Sequence, residues 1–132
     1  MSRIEERHPD VLHNLEFAIV RVYRAEPALL DLDAQDAVDA LVQHYRAEQE
    51  GRRPPAIRLD SRAERVFHAV REICEWHLGR APISGLDDEI PGASIPAAEL
   101  VECLRRIQKS IRFWSREAGR RGYLGYVSQY VK

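Results

Sequence analysis

Ser61-Arg62-Ala63-Glu64-Arg65-Val66-Phe67-His68-Ala69-Val70-Arg71-Glu72-Ile73-Cys74-Glu75-Trp76-His77 carries the strongest structural signal in the chain. Ala63, Val66, Phe67, Val70, Ile73, Cys74 and His77 recur three and four residues apart, which places them on one face of an α-helix. Ser61 and Glu64 match a capping box, where each side chain satisfies a backbone N–H at the helix start. Gly79 supplies the stop.

The same signals extend in both directions. Toward the N-terminus, Ala34, Ala37, Val38, Leu41 and Tyr45 predict a helix with Asp33 as N-cap, running to about Glu50 and stopped by Gly51. Asp33, Asp36 and Asp39 gather at its positive end. Before it, Leu12, Leu15, Ile19 and Val22 predict a helix over Pro9–Ala25, with Pro9 suited to the first turn and Pro27 ending it. Gly51-Arg52-Arg53-Pro54-Pro55 reads as an extended connector. Toward the C-terminus, residues 80–95 read as a long irregular loop containing the acidic run Asp87-Asp88-Glu89. Leu100, Leu104, Ile107, Ile111 and Trp114 then form the seam of a helix from Pro96 to about Ala118. Gly119 and Gly122 bracket a turn. Tyr123 to Val131 reads as a short closing helix, although its aromatic and β-branched content also suits a strand. The expected fold is all-α and bundle-like, with four main amphipathic helices, a short C-terminal one, and a single domain over residues 1–132.

Composition agrees with that reading. At 45% hydrophobic and 31% charged residues, the 132-residue chain has the make-up of a soluble globular domain. No apolar run approaches the roughly 20 residues that span a bilayer, and Met1-Ser2-Arg3-Ile4-Glu5-Glu6 lacks the apolar stretch of a secretory signal. Cys74 and Cys103 are the sole cysteines, and both sit in helical apolar patterns, which points to reduced thiols and a cytoplasmic location. No membrane partner is expected.

The charge is unevenly distributed. Residues 1–102 hold 12 basic and 20 acidic residues, whereas residues 103–132 hold 8 basic residues and one acidic residue, Glu117. Arg105, Lys109, Arg112, Arg116 and Arg120 share one face of the Pro96–Ala118 helix, opposite its apolar seam, with Arg106 and Arg121 toward the flank. Such a row can bind phosphates or another anionic partner. It can equally be a solvated face, or be covered by the chain's own Asp36, Asp39 or Asp87-Asp88-Glu89. A pI near 6.5 argues against a dedicated nucleic-acid binder. Gly119-Arg120-Arg121-Gly122 has the outline of an RNA-clamping GxxG loop, but that loop needs a sheet beside it, and none is predicted. The turn reads instead as a helix C-cap.

Other constellations are weaker. Cys74 and His77 lie one turn apart, and Cys103 on the next long helix, with His68, could complete a zinc site, yet structural zinc sites carry paired close-spaced ligands and only one such pair occurs here. Buried small apolar roles suit both cysteines. Glu64-His68-Glu72, His13-Glu16 and His44-Glu48 read as surface helix pairs, and Glu5-Glu6-Arg7-His8 as a frayed end. No nucleophile elbow, phosphate loop or zincin motif occurs, so neither an enzyme nor a cofactor is expected. Trp114, Tyr123, Tyr126 and Tyr130, with Phe113, concentrate aromatic side chains in the last 20 residues; such side chains are favoured at interfaces, and equally suit a last helix that packs across the bundle and closes its core.

Trp114-Ser115-Arg116-Glu117-Ala118-Gly119-Arg120-Arg121-Gly122-Tyr123-Leu124 with Tyr126-Val127-Ser128-Gln129-Tyr130, and Asn14-Leu15-Glu16-Phe17-Ala18-Ile19-Val20 with Val22-Tyr23-Arg24, resemble a family of small, uncharacterised bacterial helical proteins of unknown function. That resemblance implies a bacterial cytosolic origin and no particular activity. The expected role is a helical protein-interaction module, self-associating or binding another protein. The alternatives are an anion or nucleic-acid contact through the basic row, and a metal or small-ligand site among the helices.

Overall fold

A computed structural model describes residues 3–80, 94–117 and 122–131. Among these residues are six helices and no strand: α1 (Ile4–Arg7), α2 (Pro9–Ala25), α3 (Asp31–Gln49), α4 (Ser61–His77), α5 (Ala97–Arg116) and α6 (Gly122–Tyr130). The chain is all-helical over this range. The acidic run at residues 87–89, together with Arg120 and Arg121, lies outside it.

The one unexpected helix is α1. Four residues are too few to show a helical period, so nothing in its pattern announces it. It is held instead by tertiary contacts: Ile4 is buried, Arg7 Nη2 lies 3.0 Å from Glu99 and 2.8 Å from Glu102, and Glu5 pairs with Arg106. The segment expected to fray is thus fastened to α5.

Two helix starts shift from their expected caps. The carboxylate of Asp60, not the Ser61 hydroxyl, accepts the Ala63 amide at 2.9 Å, and Ser61 is the first helical residue. A carboxylate there satisfies the orphan N–H and also complements the helix dipole. Helix α3 begins at Asp31, so Asp33 sits two positions inside it and accepts the Leu30 amide at 2.9 Å. The expected stops are as read. Gly51 and Gly79 follow α3 and α4, and paired bonds close each end, Gly51 N to Glu48 O and Arg52 N to Ala47 O in the first, Gly79 N to Trp76 O and Arg80 N to Glu75 O in the second.

Helix α3 packs on both α4 and α5, α2 packs on α4, and α6 closes over α5. Leu15, Ile19, Leu41, Tyr45, Val66, Leu104, Ile107 and Ile111 are fully buried between them. Each such aliphatic side chain contributes about 1.5–3 kcal/mol on leaving water. No helix among the described residues is long and apolar enough to cross a membrane.

The C-terminal segment is a helix, α6, and distant residues hold both its ends. Asp31 accepts the Tyr123 and Leu124 amides at 2.9 and 3.0 Å and the Ser115 hydroxyl at 2.8 Å. At the other end, Arg24 donates to the Ser128 and Val131 carbonyls at 3.2 and 3.0 Å. Gly122 makes this approach possible. Its φ is +74°, and a Cβ there would meet Asp31 Oδ2 at 2.5 Å.

Candidate functional site

The α5–α6 region holds the features that set this molecule apart from a plain helical scaffold. On α5, Arg105, Lys109, Arg112 and Arg116 are all exposed, and among the described residues none has a carboxylate within ion-pair distance. Asp36 and Asp39 do not cover them. Both Asp39 oxygens are taken, by Gln43 at 2.6 Å and Gln108 at 3.0 Å. Asp36 is exposed, and its carboxyl is pushed upward by partial burial and by repulsion from Asp33, Asp60 and Asp39. Among the described residues, one surface therefore carries cations without a carboxylate partner, and another carries crowded acids.

Arg106 behaves differently from the row beside it. It is half-buried, ion-paired with Glu5 and hydrogen-bonded to Ser110 Oγ at 2.7 Å. That pairing holds the Glu5 carboxyl below its ordinary value.

The aromatic residues divide between core and surface. Tyr123, an interface candidate from sequence, is fully buried and belongs to the core. Its amide must reach Asp31, so its ring points inward, where the hydroxyl donates to Glu16 at 3.1 Å. Trp114 is half-buried, with its ring stacked on Tyr126 at 3.9 Å between centroids. Phe113, Tyr126 and Tyr130 are exposed at 57%, 39% and 50%. Phe113 meets Trp114 edge-on, and Tyr126 meets Tyr130, so an aromatic ladder runs from α5 to α6 beside the cationic row.

Beneath the ladder lies a cleft of about 330 Å³ between α1, α2, α5 and α6. Leu12 and Ile107 give it apolar lining, while Trp114, Tyr126 and Tyr130 contribute aromatic walls. Its central polar group is Glu16, which is buried on α2 and accepts hydrogen bonds from the hydroxyls of Tyr123 and Tyr130. Burial pushes the Glu16 carboxyl up, while the two hydroxyls, Arg106 and His13 act in the opposite direction. The Tyr123 hydroxyl is raised well above its ordinary value by burial and by the charge of Glu16, and Tyr130 is raised for the same reasons.

Sequence reading takes Glu16 for half of a surface pair with His13. The structure buries it. A usable signal exists: Glu16 is four residues from Leu12 and three from Ile19, at the edge of the apolar stripe, where a carboxylate needs buried donors. Those donors lie on α6, and no spacing rule links the two segments.

The cysteine–histidine group does not assemble into a site. Cys74 and Cys103 are buried free thiols. Burial raises both, Cys103 to about 12, which leaves them neutral rather than reactive. His77 lies with Nε2 3.1 Å from Asn14 Nδ2, and burial lowers its pKa. Among the described residues, no three His, Cys, Asp or Glu side chains are placed to hold a metal ion. His68 and Glu64 do form the expected surface pair, at 3.5 Å.

No protein-family model, curated protein or solved structure matches this chain.

Proposed function

We propose that this chain is a non-catalytic helical interaction module whose α5 face docks on an acidic protein surface, with a second copy of the chain as its first partner. The observation that carries this reading is the row Arg105, Lys109, Arg112 and Arg116, exposed and without a carboxylate partner among the described residues. Exposed aromatics beside it suit an interface, because large rings with polar tips anchor contacts at low entropic cost. The acids Asp36 and Asp60, exposed, with the partly exposed Asp39, supply a complementary surface on the same molecule. Contact between these two different patches is head-to-tail and builds rings or open chains of copies. Free buried thiols support a reducing, cytosolic setting, in keeping with the resemblance to small bacterial helical proteins.

Sedimentation velocity at low ionic strength tests this directly. Wild-type protein is expected to associate at micromolar concentration and to dissociate as salt screens the contact. The pair Arg112→Glu with Arg116→Glu is expected to stay monomeric. A monomer at every salt concentration, together with no binding of a polyglutamate peptide, sinks the reading. A second reading is favoured by Phe113, whose exposed ring adjoins the row as a base-stacking side chain would. It assigns the same face to nucleic acid. Salt-sensitive binding of a single-stranded oligonucleotide, lost in the same double variant, would transfer the row to that role.

A further inference from the structure

We infer that the cleft between α2, α5 and α6 binds a small organic cation, an ammonium or guanidinium group on an apolar body, with Glu16 as its counter-charge. This inference does not depend on the docking face of α5.

The argument begins with the charges that face the cleft. Glu5 and Arg106 form an ion pair and cancel. Arg106 Nη1 also donates to Ser110, which fixes the guanidinium beside Glu5, and its single charge is matched by that carboxylate. His13 lines the same cleft. Glu16 is left as the unbalanced charge: its two oxygens accept neutral tyrosine hydroxyls, and no cation lies within ion-pair distance of it among the described residues. Each carboxylate oxygen can accept a further bond. Taking an ionised carboxylate out of water is unfavourable unless an opposite charge joins it, and a cationic ligand supplies that charge.

The walls select the rest of the ligand. Trp114, Tyr126 and Tyr130 line the same cleft as the carboxylate, and the electron-rich faces of aromatic rings attract cations within about 6 Å. Leu12 and Ile107 accept an apolar body. A volume of about 330 Å³ matches the lower end of small-molecule pockets. Two tyrosine hydroxyls fix the carboxylate from behind, one from the buried Tyr123 and one from Tyr130 at the cleft wall, so the acceptor is held in place before a ligand arrives.

Titration calorimetry with three probes sharing one ring, benzylammonium, benzyl alcohol and benzoate, tests the inference on unaltered protein. Benzylammonium is expected to bind at least about tenfold more tightly than either other probe, a difference of about 1.4 kcal/mol. It should also shift the Trp114 indole N–H resonance. Glu16→Gln keeps the shape and one acceptor oxygen but removes the charge, and Trp114→Leu removes the largest ring. Each is expected to weaken benzylammonium at least about tenfold. Arg112→Glu with Arg116→Glu should leave this binding unchanged, which separates the cleft from the docking face. Benzoate binding as well as benzylammonium, no benzylammonium binding to wild type, or unchanged binding in both cleft variants would overturn the inference.

Discussion

Helices α4 and α6 are finished in opposite ways. Helix α4 is finished mainly by its neighbours: Asp60 caps its start, and the Gly79 and Arg80 amides close its last turn, with one bond from further off, Ile95 N to His77 O at 3.0 Å. Helix α6 borrows both ends, its start from Asp31 on α3 and its finish from Arg24 on α2. Seventeen residues with a strong apolar face can specify a helix locally. Nine residues fall below the length at which a helix is stable on its own, so α6 exists because the rest of the molecule completes it. The same dependence brings Tyr123 and Tyr130 onto Glu16 and forms the cleft. In this protein, local completeness gives a scaffold, and borrowed contacts give the candidate site.

Three substitutions sharpen the comparison. The largest effect is expected from Asp31→Ala, which removes two amide bonds and the Ser115 bond at once. Bonds to a charged acceptor are the stronger kind, and a loss of about 2–3 kcal/mol follows. Denaturant unfolding should show that loss, and hydrogen exchange should show lost protection concentrated in residues 123–131. If protection falls equally in α4, the ends of α6 are not separately held. Asp60→Ala removes one local cap and should lower stability by less than Asp31→Ala does, while leaving exchange in α6 unchanged.

The smallest effect comes from Glu16→Gln and depends on pH. Burial raises the Glu16 carboxyl above its ordinary value of 4.5 in the folded protein. Between that value and the raised one, the folded state binds more protons than the unfolded state, so wild-type stability falls as pH rises through this window. Gln cannot ionise and removes that dependence. Thermal unfolding from about pH 4 to about pH 7 should therefore show the variant gaining on wild type as pH rises. A constant difference between the two proteins would show that Glu16 ionises in the folded state as readily as in the unfolded chain.

Much of the scaffold was legible. The Pro9–Ala25 helix has the expected bounds, and the stops at Gly51 and Gly79 stand where glycine was expected to end a helix. The caps at Asp33 and Ser61 were displaced by three residues and by one, because several acids and hydroxyls crowd each helix start and only geometry chooses among them. The cationic row was legible as a helical face, since it depends on spacing alone. That Asp36 and Asp39 do not pair with it was not legible, because that depends on where those two residues lie in space.

The sequence by itself determined the elements whose information is local: apolar residues three and four apart, a carboxylate or hydroxyl before a helix, and a glycine after it. Tertiary structure alone decided α1, the fastening of both ends of α6, the inward turn of Tyr123 and the burial of Glu16. Each of these rests on partners far apart in the chain, such as Glu16 with Tyr130, 114 residues away. A contact across that distance leaves no periodic trace, because its strength comes from burial and geometry that exist only once the helices have packed.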